Sequence, residues 1–313
     1  MGAYIVRRSL ATVPVMLVVT VVVFLLLHLA PGDPAAVIAG ESARTEDVER
    51  IRTSLGLDRP LPVQFSEFIG RLCRGDLGTS IFNRRPVLSL IGQRIEPTLA
   101  LASLTMTFAI CIAIPTGILA AWNAGTWIDR SAMAFAVVAF SLPTFMVGYG
   151  LMFGLGLWWR VLPIQGFRSL AVGAGPFIKH LILPSAALGL VYTALLARMT
   201  RSTMLEVLHE DYVLTARSKG VSTSIVLLRH ALRNAALPIV TTIGIGIGLL
   251  LGGVVVTESV FGLPGIGRLL IEAATQRDYP VIQGIVLVTS FGYVLLNLLI
   301  DLSYAVLDPR IRY

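Results

Sequence analysis

Charged side chains are scarce. Only 14% of the 313 residues are Asp, Glu, Lys or Arg, whereas 55% are apolar, and the mean hydropathy is +0.80. An ordinary globular domain is roughly a quarter charged. The 18 acidic and 25 basic side chains cannot clothe a globule of 33.7 kDa, which excludes a typical soluble protein, and the apolar excess excludes a disordered one. Cysteine is as sparse: Cys73 and Cys111 cannot build a disulfide framework. Several chemical signatures are missing too. No G-x-x-x-x-G-K-[ST], H-E-x-x-H or G-x-S-x-G occurs, so neither a P-loop, a zincin nor a serine-elbow hydrolase is supported. His28, His180, His209 and His230 fall in separate segments without further ligands at metal spacing. The net charge is +7, yet no basic run is interleaved with aromatics, and no nucleic-acid partner is expected.

Hydrophobic length is what the chain has. Cutting at every charged residue leaves uncharged stretches at 9–32, 97–128, 131–159, 180–197, 234–257 and 279–300. A membrane helix needs about 20 mostly apolar residues. Five stretches meet that length, and the fourth, with 18 residues, lies within the tolerated range. The first is longer than the roughly 7–15 residues of a signal-peptide core, so it reads as a span. The expected fold is an all-α integral membrane protein with six transmembrane helices. Within the fifth run, Gly244/Gly248 and Gly248/Gly252 are small-xxx-small pairs suited to close helix packing. The span interiors carry no ionisable group apart from Asp301 near one end of the last, which argues against an ion-coupled secondary transporter.

An even number of spans puts both termini on one side. With the N-terminus inside, the inner segments hold 11 Lys/Arg and the short outer loops 5, which predicts cytoplasmic termini. The long segment 33–96 holds the other 9 basic residues, offset by 9 acidic ones. In it, Thr45 through Arg52 opens with a cap residue and acidic side chains and closes with arginines, predicting a short outer helix. Asp58-Arg59-Pro60-Leu61-Pro62 and Arg74-Gly75-Asp76-Leu77-Gly78 predict turns.

Residues 198–233, between the fourth and fifth runs, are neither apolar enough to cross nor polar enough to be a tail. Met204, Leu205, Leu208 and Tyr212 share one helical stripe. Gly220 follows, and then a second amphipathic piece, with Ser222 or Thr223 as its cap and Ile225, Val226, Leu228 and Leu232 apolar. The pattern reads as helix, glycine turn, helix. Such a hairpin either lies in the lipid interface or inserts into a partner's groove, and the pattern alone leaves both open.

Asp211-Tyr212-Val213-Leu214-Thr215-Ala216-Arg217-Ser218-Lys219-Gly220, followed by Leu228-Arg229-His230-Ala231-Leu232-Arg233-Asn234-Ala235-Ala236-Leu237-Pro238, resembles the EAA loop of ABC-importer membrane subunits. Ala216 and Gly220 fit the general pattern, whereas Leu214 stands at its glutamate, Thr215 at its first alanine and Arg233 at its proline. Nearly the whole chain is similar to the peptide/nickel branch, of the dipeptide- and oligopeptide-permease B type. The pieces carrying the likeness run in order: Pro31-Gly32-Asp33-Pro34, Leu55-Gly56-Leu57-Asp58-Arg59-Pro60, Gly75-Asp76-Leu77-Gly78, Val260-Phe261-Gly262-Leu263-Pro264-Gly265-Ile266-Gly267, Arg277-Asp278-Tyr279-Pro280 and Leu307-Asp308-Pro309-Arg310-Ile311-Arg312.

The resemblance implies the type I ABC importer membrane-domain fold. It divides the chain into an N-terminal region 1–96, a transmembrane domain 97–307 and a cytoplasmic tail 308–313. The N-terminal region comprises a tail 1–8, a span about 9–31 and an outer loop about 32–96, while the domain holds helices near 97–122, 133–158, 180–198, 235–257 and 280–303 and the coupling loop 203–233. It further implies a bacterial inner-membrane permease without catalytic residues, metal or cofactor of its own, ATP being bound by partner subunits. The expected partners are a second homologous permease, two ATP-binding subunits, an extracytoplasmic substrate-binding protein and the bilayer. Asp211, Thr215, Ala216, Arg217, Gly220, His230 and Arg233 are the candidate coupling residues, and Ser141, Pro143 and Asn297 the candidate lining of the pathway. Di- or oligopeptides are the first solute class implied, with nickel chelates, glutathione or another small solute as alternatives.

Overall fold

A computed structural model of the chain describes residues 2–29, 34–39, 44–54 and 56–307. Pro31-Gly32-Asp33, Leu55 and the stretch 308–313 lie outside the described residues. Among those described, regular structure is helical apart from one isolated bridge between Thr79 and Pro86. The helices are α1 (Gly2–Leu29), α2 (Pro34–Ala39), α3 (Thr45–Ser54), α4 (Leu61–Cys73), α5 (Val87–Trp122), α6 (Trp127–Ser141), α7 (Thr144–Leu151), α8 (Ala174–Leu208), α9 (Asp211–Ser218), α10 (Thr223–Ile225), α11 (Leu232–Val260), α12 (Ile266–Gln276) and α13 (Tyr279–Leu307). A π-helical segment, Met152–Trp158, continues α7, and another, Val226–Ala231, joins α10 to α11.

Five helical segments are long and apolar enough to cross a bilayer: Arg7–Leu26, Val87–Trp122, Ala174–Leu208, Thr223–Leu250 and Tyr279–Leu302. The sixth expected span is not one helix. Trp127–Ser141 and Thr144–Trp158 meet at a bend of 101°. The cause is local: Pro143 has no N–H to continue the ladder, and Leu142 before it is extended, with ψ 128°. Cutting the sequence at charged residues also truncated helices, because charge does not end a helix. Thus α6 begins before Asp129, and α11 runs on past Glu258.

The chain divides into two compact units, 2–95 with 268–295 and 96–267 with 296–307. In the first, α1 presents Leu10, Val13, Leu17 and Val18 outward, as a lipid-facing helix does. Its buried Phe24 meets Phe65 and Phe68 of α4 at ring-centroid distances of 5.2 and 5.6 Å. Of the turn expected at 58–62, residues 58–60 precede α4 but Leu61 and Pro62 already belong to it, proline being tolerated in a first helical turn, while the turn expected at 74–78 follows α4. Asp76 Oδ1 accepts the Gly78 N–H at 2.8 Å, and Asp278, 2% exposed, accepts from Ser80 Oγ at 2.5 Å. Two of the short sequence pieces, around Gly78 and around Asp278, therefore meet in one loop junction.

In the second unit, α5, α8 and α11 form the main core around Leu101, Met106, Ala113, Leu188, Leu196 and Leu250. Lipid is as apolar as leucine, so close fit rather than expulsion of water holds such helices together. The fit is visible at Gly117 of α5, where a Cβ would come within 2.6 Å of Thr200 Cβ and 2.8 Å of the Ala197 carbonyl. Of the expected small-residue pairs in α11, Gly244 abuts Ile300 of α13, whereas Gly252 faces open space.

Candidate functional site

The hairpin between α8 and α11 is built on a hydrophobic floor. Met204 and Leu208 of α8 join Ile118 and Ala121 of α5, Val213 and Ala216 of α9, Val226 and Ala231 of the π-segment, and Ala235 and Ile239 of α11. Helix α9 contributes the i, i+3 pair Val213 and Ala216, which exposes the rest of its surface. The helix stripe expected through Tyr212 breaks earlier, at His209 and Glu210, so Tyr212 is 41% exposed while Met204 and Leu208 are buried. There its hydroxyl accepts a hydrogen bond from Asn234 Nδ2 at 2.8 Å, tying α9 to the start of α11.

Gly220 ends α9 with φ +76°, the left-handed conformation that glycine adopts without strain. Its N–H donates to the Arg217 carbonyl at 2.9 Å and the Val221 N–H to the Ala216 carbonyl at 3.2 Å, the paired bonds of a Schellman stop. Asp211 occupies the first turn and Arg217 the last, each complementing the helix dipole. The Thr215 hydroxyl donates back to the Asp211 carbonyl at 2.9 Å. Arg217 lies over the Trp122 ring, 4.7 Å from its centroid.

The seven candidate coupling residues therefore lie on one hairpin in different settings. Asp211, Thr215 and Arg217 are exposed on α9, Ala216 is in the floor, and Gly220 makes the turn. His230 is half-buried in the π-segment, and Arg233 is exposed where α11 begins. Four apolar side chains around them have no cover: Tyr212, Leu214, Ile225 and Leu228, the last 59% exposed. Ser141 and Pro143 stand at the α6–α7 break, where Ser141 helps line a groove of about 170 Å³ between α6 and α8. Asn297 is half-buried on α13. Among the described residues no cluster of His, Cys, Asp or Glu could hold a metal ion.

Sequence reasoning missed the charged pair beneath the hairpin. Asp129 of α6, 4% exposed, accepts from Arg201 of α8 at both carboxylate oxygens, from Nε to Oδ1 and from Nη2 to Oδ2 at 2.7 Å. It also missed Glu258, which is fully buried in α11 and accepts from Thr98 Oγ1.

The family model described as "Binding-protein-dependent transport system inner membrane component" matches residues 113–313, and its N-terminal companion matches residues 1–102. The chain is 49% identical over 313 residues to a probable peptide ABC transporter permease protein, y4tP, of Sinorhizobium fredii, covering 100% of both chains. It is 46% identical to the glutathione transport system permease protein GsiC of Pectobacterium atrosepticum, covering 99% of each. In fold it is similar to a chain of the inward-facing MetNI methionine ABC transporter, with a TM-score of 0.57 at 16% identity, covering 71% of this chain and 97% of that one. The fold, with its hairpin between α8 and α11, and the two family matches lead to one conclusion: this chain belongs to the binding-protein-dependent ABC transporter permeases, as an inner-membrane subunit of the peptide/nickel importer type.

Proposed function

We propose that the chain is one half of the translocation pathway of an ATP-driven importer of short peptides, and that residues 203–233 are the lever on which the ATPase acts. The observation that carries the lever is the hairpin's two-sidedness. Val213 and Ala216 lock α9 onto the ends of α5, α8 and α11, while Tyr212, Leu214, Ile225 and Leu228 lie uncovered among Asp211, Arg217 and Lys219. An apolar patch ringed by charge on a rigid hairpin suits a partner's groove. The excess of Lys/Arg on this side of the spans supports a cytoplasmic position for it, with both termini on the same side.

The chain itself then performs no chemistry. ATP is bound and hydrolysed by two partner subunits, whose closure moves α8 and α11 through the hairpin and exchanges inward- and outward-open arrangements. A second, homologous permease completes the pathway, with Ser141, Pro143 and Asn297 of this chain along it, and a binding protein delivers the solute to segment 33–96 and the Phe261–Gly267 turn. The 49% likeness to a probable peptide permease supports peptides as cargo. The 46% likeness to glutathione permeases favours a second reading, in which the peptide is glutathione.

Mild-detergent purification of the tagged chain, followed by mass spectrometry, tests the assembly. Two ATP-binding proteins and a second permease are expected. Vesicles reconstituted with the purified assembly and supplied with its binding protein should take up labelled dipeptide or glutathione only with ATP on the face that carries the ATP-binding subunits, and uptake by the chain alone under a proton gradient would reverse the reading.

A further inference from the structure

Arg217 of the coupling hairpin and Arg201 of the helix leading into it reach the same short turn. The turn, residues 123–126, joins α5 to α6 and is closed by the Thr126 N–H donating to the Asn123 carbonyl at 3.1 Å. On one flank Arg217 of α9 stacks on Trp122. On the other, Arg201 of α8 holds Asp129 in a two-point ion pair, and Asp129 Oδ2 also accepts the Gly125 N–H at 2.9 Å. One buried carboxylate thus both closes the turn and binds it to the helix that leads into the hairpin.

With its carboxylate buried and its guanidinium partly exposed, such a pair is a modest source of net stability, because desolvation offsets the attraction, yet losing Arg201 leaves the Asp129 charge uncompensated. Its physical value is geometric. The buried apolar part of the α6–α8 contact is a seam of Ala136 and Ala139 against Ala194, edged by Leu190, small side chains that allow close approach. The bidentate pair adds a directional, two-point contact to that seam. Helix α6 is 15 residues, a rod of about 22 Å, and its far end is the Leu142-Pro143 break.

We propose that the Asp129–Arg201 ion pair, with the Arg217–Trp122 stack, clamps the α5–α6 turn to the coupling hairpin, so that the ATPase stroke reaches the bent pair α6–α7 as well as α8 and α11. Asp129 and Arg201 are positioning residues: they act through the helices they join. This inference rests on the lever reading of residues 203–233.

The test uses the complete transporter in vesicles, measuring ATP hydrolysed and labelled dipeptide or glutathione accumulated. Asp129→Asn and Arg201→Gln are expected to keep hydrolysis within about twofold of wild type while solute carried per ATP falls at least fivefold. Arg201→Lys, which keeps the charge and loses the second contact, is expected to retain more of that ratio. An unchanged ratio in both neutral variants overturns the proposal, as does a parallel fall of hydrolysis and uptake in variants that assemble as well as the wild type. If those variants do not assemble, Trp122→Ala loosens the same turn from its exposed side. A ratio lowered by half or more supports the clamp, and an unchanged one overturns it. Gly220→Val separates the two readings: if it transports normally, the lever falls and the clamp with it, whereas if it abolishes uptake and the ratio in Asp129→Asn stays at wild type, only the clamp falls.

Discussion

Thr98 and Glu258, 160 residues apart, meet in the interior of the second unit, with Thr98 Oγ1 donating to Glu258 Oε1 at 2.5 Å. The same Thr98 oxygen accepts the Ile266 N–H at 2.8 Å. One hydroxyl therefore joins the start of the α5 segment in this unit, the last turn of α11 and the first residue of α12. The glycines after Pro264 make room for the carboxylate. A Cβ on Gly265 would come within 1.9 Å of Glu258 Oε1, and one on Gly267 within 2.7 Å of Val255 Cα.

Thr98→Ala removes a donor from a fully buried carboxylate and is expected to cost about 1–3 kcal/mol. Gly265→Ala should cost more, because the buried Glu258 carboxylate would be pushed off Thr98, while Gly252→Ala, with open space around it, should be neutral or stabilising. Denaturation midpoints of the purified chain in one detergent check the order. Equal midpoints for the two glycine variants would refute the cradle.

At Gly220 no atom lies within 4 Å of the would-be Cβ, so the cost of substitution is purely conformational. A left-handed residue other than glycine costs about 1–2 kcal/mol, with asparagine the most tolerant and β-branched residues the least. Gly220→Asn is expected to retain most ATP-dependent uptake, and Gly220→Val to lose it while still inserting into the membrane. Uptake by vesicles containing each variant provides the check, and equal uptake would mean the turn's geometry is not used.

Leu214 is 48% exposed on α9 and has no part in the floor. Leu214→Lys should leave the fold intact and weaken ATPase binding about tenfold, the equivalent of 1.4 kcal/mol. Co-purification of ATP-binding subunits at a series of detergent dilutions measures this, with Ala216→Lys as a contrasting variant that should unfold the hairpin itself.

Asn297→Leu replaces a half-buried polar group on α13 by an apolar one of the same branching and somewhat larger volume. As a pathway residue, Asn297 should alter the relative uptake of dipeptide and glutathione. Unchanged uptake of both solutes would remove it from the lining.

The sequence makes the apolar lengths of α1, α5, α8 and α13 plain because lipid demands unbroken hydrophobicity over a fixed thickness, and Gly220 announces a turn because few residues adopt its φ. Other features leave no local trace. The stop after Leu208 carries neither glycine nor proline, so the stripe of Met204, Leu205 and Leu208 reads straight on to Tyr212. Asp129 and Arg201 are 72 residues apart, and each alone looks like a solvated end-of-span charge. Only the packing of α6 on α8 turns them into a pair. Glu258 is hidden in the same way, since a charge in the sequence looks like the end of a span while the helix continues to Val260.

The break at Leu142-Pro143 has a consequence for what surrounds it. An interrupted helix leaves carbonyl groups without amide donors, and hydrocarbon offers them none, so irregular backbone at membrane depth persists only against water or other protein. Leu142 is extended, Pro143 contributes no N–H, and Ser141 spends its hydroxyl on the Val137 carbonyl at 2.8 Å rather than on the gap. The face of α6–α7 carrying this interruption is thus unfit for lipid, and a wet crevice or a neighbouring subunit must stand in front of it.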